Sequence, residues 1–180
     1  MKVLVFLRNG FEELELVAPV DVLRRAGLAV TIASCEESLS VQGKNSMVLA
    51  ADALLDDCRT HEYDCLLIPG GPGTAAMRRD ERVIKAVQEA QDAGKWIAAI
   101  CAAPLVLKDA GVIQSRPHTA HFSTADELPG MDSDSAVVIV GNLITSQGAG
   151  TALPFGLAIV SRLLGEDAAQ QISKSICYPG

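Results

Sequence analysis

Ile97-Ala-Ala-Ile-Cys101-Ala-Ala-Pro104 decides the fold. A short apolar run stops at a cysteine, and a helix-opening proline follows three residues later, as where a buried parallel strand hands over to a helix. Ala99 and Ala103 lie two places either side of Cys101. The pattern is therefore small-x-nucleophile-x-small, the form of a turn too tight for larger side chains that lifts a nucleophile to the sheet's active-site edge. The first N–H groups of the following helix should face such a thiol and favour its thiolate. The plainer reading, a small buried core cysteine, stands beside this one.

Outward from this point the same unit recurs. Val3-Leu-Val-Phe-Leu7 reads as a first buried strand, and residues 12–26 have helical spacing. That segment has acids in its first turn, Arg24-Arg25 in its last, Gly27 as its stop and Pro19 as an expected kink. Further strands are expected over 28–34, 64–68, 96–100, 137–140 and 143–145, and helices over 82–93, 104–110, 151–164 and 167–175. Val41 and residues 47–51 form a small antiparallel appendage around the polar turn 43–46. This alternation predicts an α/β fold, a largely parallel sheet with helices on both faces and ligands beyond the carboxyl ends of the strands. No repeat or linker interrupts it, so residues 1–180 are expected to form a single domain.

Composition narrows the function. Of 180 residues, 49% are apolar and 21% charged, which excludes disorder. Net charge is −7, and no stretch gathers four basic residues, so nucleic acid is not an expected partner. The opening apolar run, Val3 to Leu7, is too short for a signal-peptide core or a membrane span; a soluble, cytoplasmic protein is expected. Five cysteines without CxxC spacing suggest neither a disulfide framework nor a zinc site. No metal and no cofactor is expected.

Several residues could join Cys101 in chemistry. Pro69-Gly70-Gly71-Pro72-Gly73 follows a strand on the same edge, and its glycines let backbone N–H groups approach a ligand or an oxyanion. Gly71 to Ala76 also matches G-x-G-x-x-A, but Pro72 lacks an N–H and the next strand ends in Cys101 rather than in an acid that would hold a ribose. Glu12, Glu13 and Glu15 open the first helix, where acids complement the dipole. Either Glu13 or Glu15 could turn toward apolar surroundings, and a carboxyl held there would stay protonated. His118 and His121 each offer the base of a Cys–His pair or an ordinary loop residue. Gly148-Ala-Gly-Thr151 could present N–H groups to an anion. Cys35, Cys58, Cys65 and Cys177 lack the setting of Cys101.

Gly10-Phe-Glu-Glu-Leu-Glu15, Pro19-Val-Asp21-Val-Leu-Arg-Arg-Ala-Gly27, Tyr63 to Gly71, Ala98 to Pro104 and Leu143 to Thr151 follow one another in that order. On these motifs the chain resembles the DJ-1/ThiJ/PfpI superfamily, and within it the DJ-1-like, or Parkinsonism-associated deglycase-like, branch. The resemblance implies a flavodoxin-like (class I glutamine amidotransferase-like) fold and Cys101 as the reactive cysteine. It also implies that Glu15 rather than Glu13 is the buried acid bonded to that cysteine, and that Gly70, Gly71 and the Ala102 N–H are oxyanion donors.

A homodimer is implied, with the helix of Asp21 near the partner chain. So is cofactor-independent glyoxalase chemistry on a small reactive carbonyl such as methylglyoxal, or deglycation of its adducts. The alternative is a redox-sensing stress protein or chaperone. An amidase or peptidase is a third reading, weakened because Ala102 stands where the protease-like branch has histidine. His118 and His121 compete for the histidine that relatives carry near Thr119, with His121 preferred. A basic residue that some relatives carry around Asn45 is missing, which is expected to alter pocket polarity or the dimer contact.

Overall fold

A computed structural model describes residues 1–179. Among the described residues are nine strands and six α-helices. They are β1 (Lys2–Leu7), α1 (Glu13–Arg25), β2 (Ala29–Ser34), β3 (Ser40–Gln42), β4 (Val48–Ala50), β5 (Ala53–Leu54), β6 (Cys65–Ile68), α2 (Thr74–Met77) and α3 (Glu81–Asp92). After these come β7 (Trp96–Ile100), α4 (Pro104–Asp109), β8 (Val137–Val140), β9 (Leu143–Ser146), α5 (Ala152–Leu164) and α6 (Glu166–Ser175).

Seven strands form one sheet in the order β5-β2-β1-β6-β7-β9-β8, and β3 pairs with β4 in a separate hairpin. All neighbours in the large sheet run parallel except β8, which returns antiparallel on β9 through the Gly141-Asn142 turn. This is the flavodoxin-like architecture the resemblance implied.

Strand periodicity divides the core in two. Val3, Val5 and Leu7 with Leu67, Ala98 and Ile100 face a layer that includes Leu16, Val20, Leu23, Phe155 and Val160 from α1 and α5. Leu4, Phe6, Leu66, Ile97 and Ala99 face the opposite layer, with Val83 and Val87 of α3 and Val106 of α4. Both layers cover the central strands, so those strands carry no polar alternation.

The first helix runs unbroken through Pro19. A Cβ on Gly156 of α5 would lie 2.9 Å from Pro19 Cα, so that glycine lets α5 lie close against α1 at the proline. β5, two residues long, gave no period to read and extends the sheet by one edge strand.

β1 lies between β2 and β6, so the chain leaves it toward one side of the sheet and later returns on the other. That reversal opens a crevice above the carboxyl ends of β1 and β6. The candidate site lies there. Among the described residues, no helix is long and apolar enough to cross a membrane.

Candidate active site

Cys101 follows β7 directly and adopts φ +65°, the left-handed region that non-glycine residues rarely enter. The conformation is held from both sides. Its N–H donates to the Ser146 carbonyl at 2.9 Å, and its carbonyl accepts from the His121 N–H at 2.9 Å. The side chain is half-buried.

Glu15, on the first turns of α1, is 1% exposed. One carboxyl oxygen, Oε2, accepts from the Gly70 N–H at 2.9 Å, and the carboxyl is also the hydrogen-bond partner of the Cys101 thiol. Gly70 is small by necessity. A Cβ there would lie 2.6 Å from both Cys101 Cβ and Glu15 Oε2. Its N–H, expected among the oxyanion donors, is instead taken by Glu15. The backbone N–H groups that reach the sulfur are those of Gly71 and Ala102. Gly71, at φ +96°, packs so closely on Gly10 and Glu12 backbone that a side chain has no room.

Burial pushes the Glu15 carboxyl up from 4.5 to about 7. Burial, and then the charge of Glu15, push the Cys101 thiol up to about 12, although the Ala102 and Gly71 N–H groups oppose this. An acidified thiol was expected from placement at a helix start. That helix, α4, begins only at Pro104 and is six residues long, so local amides rather than a helix dipole face the sulfur. The two groups share one site and titrate as a pair: one proton leaves near 7, and the second is held far more tightly. Sulfur has two facing amides and the carboxyl has one, so the single negative charge is better placed on sulfur, with Glu15 donating to it.

The other two acids of the first turn have different partners. Glu13 accepts from Asn45 N at 2.7 Å and Asn45 Nδ2 at 2.9 Å. Burial opposes its ionisation, yet its own N–H and those of Asn45 hold the carboxyl below its ordinary value. Glu12 pairs with Lys44. All three acids are buried, so the helix dipole alone does not account for them. Lys44, unremarked in the sequence, is close enough to bias both Glu15 and Cys101. It supplies a cation one residue before Asn45, where none was expected.

Of the two histidines, His121 is near the site. Its Cδ2 and Glu15 Oε1 lie 3.6 and 3.7 Å from the point where a Gly148 Cβ would be. Nδ1 accepts from the Ser123 N–H at 3.3 Å and bonds Ser123 Oγ at 2.7 Å, so hydrogen bonding assigns the neutral ring's proton to Nε2. His118 is 4% exposed, and its Nδ1 donates to the Arg116 carbonyl at 2.8 Å. The Gly148 N–H, a candidate anion donor, donates to Thr151 Oγ1 at 3.1 Å. Cys35 and Cys65 are buried, and burial pushes each thiol up to about 12. Among the described residues, no group of three His, Cys, Asp or Glu side chains could hold a metal ion.

Comparison with known proteins bears on this geometry. The family model for the "DJ-1/PfpI family" matches residues 1–162. The chain is 38% identical over 177 residues to "Parkinson disease protein 7 homolog" of Danio rerio, covering 95% of this chain and 94% of that protein. It is 37% identical to "Protein DJ-1 homolog B" of Arabidopsis thaliana, covering 97% of this chain but spanning only 40% of that protein's length. The solved structure "Toxoplasma gondii DJ-1, oxidized" superposes with a TM-score of 0.94 at 33% identity, covering 98% of each chain.

Proposed function

The chain belongs to the DJ-1/PfpI family, and from that premise we propose that it is a cysteine-dependent, cofactor-independent enzyme that converts small 2-oxoaldehydes to 2-hydroxy acids or removes their adducts. The observation that carries this reading is the convergence of Cys101, on a left-handed turn, with a buried Glu15 that holds its proton to about 7.

In the concrete case, methylglyoxal, Cys101 Sγ bonds to the aldehyde carbon and the carbonyl π electrons pass to oxygen. The Gly71 and Ala102 N–H groups that face the sulfur are the donors available to that oxygen. Glu15 gives its proton to that oxygen and, now a carboxylate, takes the proton of the hemithioacetal carbon and returns it to the neighbouring carbon, while the hydroxyl proton passes from the first oxygen to the second. One carbon is oxidised and the next reduced, so no external electron acceptor enters. Water cleaves the resulting thioester to lactate and restores the thiol. His121, with its proton on Nε2, acts as a donor near Glu15.

The test is methylglyoxal consumption in metal-free buffer, with lactate as the product. Wild-type protein should turn over and Cys101→Ser should not. Equal rates would remove the reading.

A second reading has its own support. A thiol beside a protonated carboxyl is poised for oxidation by peroxide to a sulfinate that the carboxyl would stabilise, and the Toxoplasma relative was solved in an oxidised form. Five free thiols suit a reducing compartment, on which ground a cytoplasmic location is proposed.

A further inference from the structure

A cavity of about 450 Å³ opens against the site, lined by Ala120, His121, Phe122, Met131, Gln147 and Gly148 among others. It shares His121 and Gly148 with the reacting centre, and the His121 N–H bonds the Cys101 carbonyl. Water occupies about 30 Å³ per molecule in the liquid. The cavity is therefore far larger than a three-carbon aldehyde needs, and lies within the usual range of about 300–1,000 Å³ for ligand pockets.

Its chemistry is one-sided. No Asp, Glu, Lys or Arg side chain lines it. A phosphate or carboxylate would find no Lys or Arg there to offset its lost hydration. Phe122, by contrast, stands 78% exposed against the His121 ring, centroids 4.1 Å apart. A large aromatic left in water beside a reaction centre is surface that a bound apolar group would cover. The walls are braced without a ligand, because Gln147 Nε2 donates to the Ser133 carbonyl at 2.6 Å.

We propose that this cavity binds the non-reacting substituent of the carbonyl substrate, that the substituent is uncharged and aromatic or extended aliphatic, and that Phe122 and Met131 select for it. The proposal rests on the carbonyl-substrate reading of Cys101 and Glu15. It extends that reading from three-carbon aldehydes to aryl and long-chain 2-oxoaldehydes.

The experiment compares kcat/KM for phenylglyoxal and methylglyoxal in wild-type protein, Phe122→Ala and Met131→Ala. Intrinsic reactivity of the two aldehydes cancels when each variant's ratio is divided by that of wild type. The phenylglyoxal-to-methylglyoxal ratio should fall about tenfold in each variant, as for loss of an apolar contact of this size. An unchanged ratio in both overturns the proposal. Phe122 is mostly exposed, so its variant is not expected to unfold; circular dichroism checks this. If wild-type protein consumes neither aldehyde, the enzymatic reading fails and calorimetry judges the cavity separately. The unreactive ketone 2-hydroxyacetophenone should then bind at least about tenfold tighter than hydroxyacetone, with the advantage lost in Phe122→Ala. Equal or absent binding of the two ketones overturns the proposal in that case too.

Discussion

Cys101 carries backbone strain on the order of 1–3 kcal/mol for its left-handed conformation, and neighbouring bonds from Ser146 and His121 hold it there. Its charge state depends on Glu15. With the negative charge on sulfur, thiolate ultraviolet absorbance should appear with a midpoint near 7; a midpoint above the ordinary 9.0 would place the charge on the carboxylate instead. Glu15 also links pH to stability. The folded Cys101–Glu15 pair keeps both its protons to about 7, whereas the unfolded carboxyl releases its proton near 4.5. Its stabilising contribution is thus whole below 4.5 and is lost as pH rises to about 7. Glu15→Gln removes that dependence. Between about pH 4 and pH 8, urea unfolding should show wild type losing up to about 3 kcal/mol relative to the variant. Parallel curves would refute the raised carboxyl. At this scale the sequence marked Cys101 by its small neighbours but could not separate Glu13 from Glu15. Both positions are buried, and only their partners, Asn45 and Gly70, distinguish them.

Elements set what those residues can reach. The β6-to-α2 loop brings Gly70 against α1 and the turn after β7 at once, and glycine is the only residue the space admits. Gly70→Ala should push the Cys101 and Glu15 side chains apart. Steady-state kinetics should show kcat/KM down by about a hundredfold, with a stability loss of about 1–3 kcal/mol in denaturant titration. Full activity in that variant would mean the carboxyl and thiol act independently. Glu13 serves a different element, tying the β3–β4 turn to the start of α1. Glu13→Gln should loosen that turn in hydrogen exchange while turnover falls far less than in Glu15→Gln; equal losses would sink the division of roles. Helix and strand positions followed from hydrophobic period almost throughout. The partners of the Gly70 and Gly148 N–H groups did not, because they depend on contacts between elements distant in the chain.

The whole molecule leaves one part of its surface unexplained by monomer packing. Leu14 and Val17 of α1 are 59% and 48% exposed, and Met47 and Val48 of the hairpin are 63% and 65% exposed. The Glu12–Lys44 and Glu13–Asn45 contacts tie the hairpin to the same end of α1. Four large apolar side chains around one helix end suit a self-complementary contact, in which each copy covers the same patch on the other. A homodimer is the expected state, with a scattering mass near twice 18.9 kDa. Replacing Leu14 and Val17 together by Asp should return it to one chain's mass, since two buried carboxylates would face their symmetry mates. A wild-type mass of 18.9 kDa at micromolar concentration would overturn the dimer. The kinetics of the monomeric variant then carry a second result. Glu15 lies on the same helix as both substitutions, and freeing that helix should lower kcat although no group that touches substrate has changed. Unaltered turnover would show instead that one chain positions Glu15 without help from its partner.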